Sequence, residues 1–298
     1  MSNWLPEPPT DVPEHSGAVS LRYEDVAQDG RLTIAALPHA LGEVTWPAFM
    51  AELGERVMRD NDGAVPILTR FVMLVGDGPI SVLRPLNGTT RYQLAHTVDA
   101  AGEVNRLLLL MWVDLFGRRG TTHGFVVAGE GDALRVGRVF AEHVITRPFA
   151  AAGARKVLQL KIAGMPGIPP LQVEWRSPRA AGELPASSVA LDDSLVQDAA
   201  AIRLGVGHTD SNQHVNSLVY PRLFEDAALR HLARHGATGT RARDFEIAYR
   251  KPCFAGEEVR IWLRAFRSSE GMGVTGCFAP EGGDPIESAR CHCRIRFD

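Results

Sequence analysis

GHTDSNQHVNSLVYPRLFEDA, running from Gly207 to Ala227, holds Asp210, Asn212, His214 and Asn216 at every second position and then turns apolar. Downstream, Val219, Leu223, Phe224, Ala227, Ala228 and Leu232 fall at helical spacing, and Gly236 can stop the helix at its C-terminal end. Pro221 fits such a helix only in or near its first turn, where a missing N–H costs least. Beyond the helix come short alternating runs. DFEIAYR alternates Phe245, Ile247 and Tyr249, and EEVRIWLRAF alternates Val259, Ile261, Leu263 and Ala265. MGVTGCFA and ESARCHCRIRF follow, joined by turns such as SSEG and EGGD. Connections this short imply an antiparallel sheet. The order is a polar segment, one long helix and several antiparallel strands, with the helix burying its apolar face on the sheet.

The N-terminal half repeats the order. AVSLRYEDV reads as a strand and LPHALGEVTWPAFMAELGERVMRD contains a helix. ILTRFVMLV, TTRYQLAHTV, VNRLLLLMWVDLFG and ALRVGRVFAEHVI read as strands. Two local likenesses suggest duplication. DVAQD (residues 25–29) can be laid on DSNQH (residues 210–214), and RPLNG (84–88) on KPCFAG (251–256). The first pairing sets Ala27 and Asp29 opposite Asn212 and His214. Between the halves, residues 150–188 are rich in Gly, Pro, Ala and Ser and read as a connection with one strand in RKVLQLK. The expected division is an N-terminal extension over 1–18, a first domain over 19–149, the linker over 150–188 and a second domain over 189–298.

Composition narrows the function. The chain has 298 residues, 45% hydrophobic and 22% charged, enough for a substantial core. A net charge of -3 advertises no basic face, so nucleic acid is not an expected partner. ALRHLARHGATGTRARDF is the densest basic stretch and reads as a solvated helix end and loop, with a docking patch for an acidic protein as the other reading. The start, MSNWLPEPPTDVPEHSG, has neither the basic nor the apolar region of a secretory signal. LLLLMWV is too short to cross a bilayer, so a cytoplasmic protein without membrane insertion is expected. Cys253, Cys277, Cys291 and Cys293 form no C-x-x-C pair, and no paired histidines stand at zinc-finger spacing. Ala289, Cys291, Cys293, Ile295 and Phe297 alternate with Arg290, His292, Arg294 and Arg296, a strand with one buried face in which the cysteines are core residues.

TDSNQHVNSLVY resembles the D-x-N-x-H-V-N-N-x-x-Y signature of acyl-acyl carrier protein thioesterases, and the wider family of hotdog acyl-CoA thioesterases carries a looser version. FEIAYRKPCFAGEEVRI looks like the strand that follows in both groups. The likeness covers about 100 residues of the second half; the first half matches in layout. It implies an α+β fold of two tandem hotdog domains, each a long helix wrapped by an antiparallel sheet. The two hotdogs would form an intramolecular pair, with homodimers of these as a further level. The first half would hold a degenerate site. The implied activity is hydrolysis of an acyl-CoA or acyl-carrier thioester to acid and thiol, with no metal and no organic cofactor.

A thioester carbonyl becomes an oxyanion when attacked, and a helix entrance offers unpaired N–H groups and a positive dipole end. Such donors are worth roughly 3–4 kcal/mol each in known cases. The amides around His214, Val215 and Asn216 are the candidates. By resemblance Asp210 either activates water or attacks the carbonyl. His214 serves as base or as proton donor to the leaving thiolate, and Asn212 binds the carbonyl or holds the water. Each has a plainer reading: Asp210 or Asn212 as a cap or Asx-turn, His214 as a buried hydrogen-bonded imidazole, Asn216 as a structural cap. Tyr220 and Glu225 match family positions and read as packing or polar support, and Cys253 as a core or pocket-wall thiol rather than a nucleophile. The acyl chain is expected to lie between helix and sheet. One departure stands out. The carrier-protein enzymes read R-R-E-C in the downstream strand, and this chain has Arg250, Lys251, Pro252 and Cys253. Losing that acid puts shared acid–base work in doubt. Many acyl-CoA thioesterases carry K-P there, which favours CoA or a relaxed choice of carrier. A non-hydrolytic acyl-thioester-binding protein and another hotdog enzyme, such as a dehydratase, are the competing readings.

Overall fold

The computed structural model describes residues 5–124, 126–239 and 241–298. The chain forms two compact units. The first comprises the chain up to Leu32, then Ala36–Phe71 and Gly76–Arg176; the second comprises Thr33–Ala35, Val72–Val75 and Ser177–Asp298. Each is a long helix against an antiparallel sheet, a hotdog in tandem, as the sequence implied.

In the first unit β1 (His15–Val19), β2 (Val65–Val75), β3 (Leu86–Val98), β4 (Val104–Arg118) and β5 (Ala133–Thr146) stand in the order β1-β3-β4-β5-β2. Apolar runs drive the pairing. Leu94 faces Leu109 across β3 and β4, and Met111 faces Ala141 across β4 and β5. Helix α1 covers residues 41–60, alternating π-turns (Leu41–Thr45, Met50–Gly54) with α-turns (Trp46–Phe49, Glu55–Asp60). Pro47 lies inside it and cannot donate a backbone N–H, so the regular ladder is broken there. The helix lies on the sheet: Thr45 Oγ1 meets Thr90 Oγ1 at 2.8 Å, and the Phe49 ring stands edge-on to Tyr92 at 5.5 Å. The first strand begins at His15, inside the stretch expected as an N-terminal extension, because His15–Val19 pairs residue for residue with Thr90–Leu86.

The linker is irregular but not free. Residues 150–176 group with the first unit and 177–188 with the second. RKVLQLK is not a strand; it makes one isolated bridge, Lys156 to Thr146. β6 is instead Leu171–Gln172, parallel to β3. Asn61 anchors this stretch, its Oδ1 accepting the Lys161 N–H at 2.7 Å.

In the second unit β7 (Val189–Ala190), β8 (Val196–Gln197) and β9 (Ile202–Arg203) run along one edge of β11 (Glu258–Ser268). The main sheet has the order β10-β13-β12-β11, with β10 Ala242–Tyr249, β12 Gly271–Pro280 and β13 Cys291–Phe297. Helix α2 (Val219–Ala233) lays Tyr220, Phe224, Ala227, Ala228 and Leu232 on it, all buried. Pro221 falls in its first turn. Phe224 is the central contact, 5.9 Å from the Phe245 ring and 6.3 Å from Phe278. Gly276 permits this approach, since a Cβ there would stand 3.1 Å from the Phe224 ring and 2.0 Å from the Trp262 carbonyl oxygen.

β13 departs from the one-faced strand expected of it. Cys291, Cys293, Ile295 and Phe297 are buried, but so are His292 and Arg294 on the other face. Cross-strand carboxylates make this possible. Glu246 lies directly opposite Arg294 and bonds its Nη2 at 2.5 Å, and Asp244 pairs with Arg296. A buried charge is tolerated when its partner is buried with it.

Candidate active site

The motif is a seven-residue turn closed by a bridge from Thr209 to Val215. Inside it the Asp210 N–H donates to the His214 carbonyl at 3.2 Å, and the Gln213 N–H to the Asp210 carbonyl at 3.0 Å. Gln213 carries a φ of 65°, a conformation most residues avoid. Both Asp210 oxygens are held. Oδ1 accepts the Asn212 N–H at 2.8 Å and Oδ2 accepts the Asn216 Nδ2 at 3.0 Å. Asn216 Oδ1 in turn accepts the Leu218 N–H at 2.8 Å, the residue that caps α2. Asn216 therefore ties the carboxylate to the helix entrance, the structural role of a capping amide. Asp210 and His214 are half-buried and Asn212 is exposed. The Asn212 amide group has no partner among the described residues.

His214 Nδ1 lies 3.1 Å from the Val215 carbonyl oxygen. A carbonyl only accepts, so Nδ1 carries the proton and a neutral ring presents Nε2 as a base. The amides expected to form an oxyanion hole need correction. Val215 donates its N–H to the Cys253 carbonyl at 2.8 Å and Asn216 donates to the His208 carbonyl at 2.9 Å, so neither faces a ligand. Among the described residues the N–H groups without a partner here include those of His214 and Ser217.

The supporting residues build the frame beneath the turn. The Tyr220 hydroxyl accepts the Cys253 N–H at 3.3 Å, and the Tyr249 hydroxyl donates to the Ser217 carbonyl at 2.7 Å. Cys253 is fully buried, and burial pushes its thiol up to about 11, which keeps it neutral and a poor nucleophile. His208, to which the sequence assigned nothing, closes the turn preceding the motif: its Nδ1 accepts the Gly205 N–H at 3.0 Å.

Glu225 has no hydrogen bond or ion pair among the described residues, and burial, with Asp226 adding to it, pushes its carboxyl up to about 7. A raised folded pKa means that the native state holds a proton the unfolded chain releases. Stability is therefore complete below about pH 4 and falls as pH rises through 7. Glu225→Gln is expected to remove that fall, worth up to about 3 kcal/mol between pH 4 and pH 8. Urea melts at both pH values check this; identical pH dependence in the two proteins contradicts it.

The first half contains the same turn without the chemistry. There Val26 bridges Leu32 as Thr209 bridges Val215. The Ala27 N–H donates to the Arg31 carbonyl and the Gly30 N–H to the Ala27 carbonyl, repeating the bonds of Asp210 and Gln213. Gly30, with φ of 80°, occupies the place of Gln213. Asp25 Oδ2 accepts the Arg22 N–H just as His208 Nδ1 accepts that of Gly205. The structural register thus sets Ala27 opposite Asp210, Asp29 opposite Asn212 and Arg31 opposite His214. It is two residues away from the alignment suggested by the shared Asp and Gln. Asp29 binds Arg31, leaving neither a carboxylate at the Asp210 position nor an imidazole.

Two cavities are described, and neither is lined by the motif. One of about 440 Å³ in the first unit is bordered by Arg84, Phe116 and Arg118; one of about 610 Å³ in the second is bordered by Arg179, Trp262, Arg264, Cys277 and His292. Trp262, Arg264 and Cys277 alternate with helix-facing residues, so the second cavity opens on the sheet face away from α2. Neither of these two cavities lies between α2 and its sheet, where the acyl chain was expected; the buried rings of Tyr220, Phe224, Phe245 and Phe278 pack against one another there.

No helix among the described residues is long and apolar enough to cross a membrane. No family model and no curated protein matches the chain. Solved structures do. An acyl-ACP thioesterase from Bacteroides thetaiotaomicron VPI-5482 superposes with a TM-score of 0.57 at 17% identity, covering 96% of this chain and 98% of that one. A 12:0-ACP thioesterase from Umbellularia californica gives 0.50 at 14% identity, with 96% and 97% covered. At these identities the likeness speaks for the fold: this chain has, along nearly its whole length, the fold of the acyl-ACP thioesterases.

Proposed function

We propose that the protein is an acyl thioesterase, with one working site at the entrance to α2. The observation carrying this reading is the motif turn itself: a carboxylate held by two N–H donors, an imidazole with Nε2 free, and two unpartnered amides at one helix entrance. The carbonyl oxygen of the thioester takes the His214 and Ser217 N–H groups, which stabilise the charge that develops on it. Each Asp210 oxygen accepts one N–H bond, which fixes the carboxylate and leaves a lone pair on each oxygen; with it Asp210 orients and polarises the attacking water. His214 Nε2 takes a proton from that water as its oxygen bonds to the carbonyl carbon. The tetrahedral intermediate collapses, the C–S bond breaks, and the imidazolium returns the proton to the thiolate. Asn212, exposed beside the carboxylate, holds the water. Acyl-CoA and acyl-carrier thioesters are the substrate classes; Pro252 in place of a second acid favours CoA.

Pro252 also supports a second reading, an acyl-thioester binder that leaves the bond intact. Thiol release over a panel of acyl-CoA and acyl-carrier thioesters separates the two. The enzyme reading expects equal amounts of free thiol and free acid. Full recovery of every thioester overturns it.

A further inference from the structure

We propose that the C-terminal end of α2 carries a binding site for a divalent transition-metal ion, of which zinc is the type, formed by His231, His235 and Asp192. His231 lies in the last turn of α2 and His235 in the turn that follows it, and their ring centroids stand 5.3 Å apart. Asp192 reaches them from the segment between β7 and β8. Its Oδ2 lies 2.7 Å from His231 Nε2 and its Oδ1 3.0 Å from His235 Nε2. The three groups can present one ligand atom each within 4.8 Å of one another. A tetrahedral ion about 2.0–2.2 Å from each donor spans ligand atoms slightly over 3 Å apart. Small side-chain adjustments therefore admit it.

The surroundings favour a cation over a bare ion pair. Two imidazoles aim Nε2 at the two oxygens of one carboxylate, so the three donor groups already converge on one point. Among the described residues no guanidinium reaches the Asp192 carboxylate: Arg264 Nε donates to its backbone carbonyl instead, and Arg230 is engaged by Asp198. The carboxylate is oriented by the Ala265 N–H, which donates to Oδ2 at 2.6 Å. That is the outer support ligating carboxylates receive. The helix end adds the negative pole of its dipole. His231 is 4% exposed, a buried imidazole within a basic run whose Arg230 and Arg234 are exposed as expected. Two nitrogens and one oxygen select zinc, cobalt, nickel or copper over magnesium or calcium. The ion would pin the segment crossing the β11 edge to the end of α2.

The test uses full-length, tag-free protein stripped with a chelator and titrated with Zn(II) by calorimetry and with Co(II) by visible absorption. The expected result is one equivalent bound per chain and the visible bands of tetrahedral cobalt. His235→Ala, at a part-exposed position past the helix end, and Asp192→Asn are each expected to weaken binding by more than about tenfold. Circular dichroism confirms that the variants fold. Zn(II) raises the thermal midpoint of the wild type and not of a folded His235→Ala. Absence of saturable binding in the wild type overturns the proposal, as does unchanged affinity in His235→Ala.

Discussion

Replacing Asp210 with asparagine is expected to lower kcat for thioester hydrolysis by about 10²–10⁴-fold, the span typical of acid–base groups. Asparagine keeps an oxygen for the Asn212 N–H but sets an NH2 against the Asn216 amide, so the charge and one hydrogen bond are lost while the Asn212 anchor of the turn remains. Folding stability should fall by about the ~1 kcal/mol of one hydrogen bond. Asp210→Ala removes both acceptors and frees the Asn216 amide that ties the turn to α2. It is expected to lose the same activity and some stability besides. Thiol release and urea melts on the two variants separate the contributions. An asparagine variant as active as the wild type would show that Asp210 is a capping residue and nothing more.

Phe224→Ala is expected to destabilise the second unit by about 3–5 kcal/mol, the range for a buried phenylalanine. Phe224 is fully buried and meets both Phe245 and Phe278. Gly276 has no side chain to move into the space, so the cavity persists. Because α2 begins where the motif ends, loosening the helix also displaces the Leu218 cap and the amides beside it. Activity should fall before the unit unfolds. Urea denaturation followed by tryptophan fluorescence measures this; a loss under 1 kcal/mol would mean that the helix is held elsewhere.

Much of the fold was legible because its strands carry long apolar runs bounded by turn residues. VNRLLLLMWVDLFG lies entirely within β4, and ALRVGRVFAEHVI within β5. The α2 helix was legible from Phe224, Ala227, Ala228 and Leu232 on one face. What escaped depended on partners distant in sequence. β13 alternates as if half-exposed, and nothing local shows that Glu246 and Asp244 allow Arg294 and Arg296 inside. RKVLQLK has strand composition but makes a single bridge. The motif was legible by resemblance; the state of each amide was not. That the Val215 and Asn216 N–H groups are consumed depends on the carbonyls of Cys253 and His208. The duplication shows the same limit. Matching letters aligned Asp25 with Asp210, whereas the repeated bridge, turn bonds and positive φ set Ala27 there. HLARH does hold His231 and His235 at H-x3-H spacing, against the expectation of no such paired histidines, and Asp192 lies in a stretch with no signal of its own.

One working site per chain follows from an asymmetry between two copies of one turn, and a paired comparison tests it directly: kcat for His214→Ala and Arg31→Ala, measured by thiol release on the same acyl thioester. The expected result is a loss of about 10²–10⁴-fold for His214→Ala and a change of no more than a few-fold for Arg31→Ala. Equal losses, or a larger one at Arg31, would contradict it.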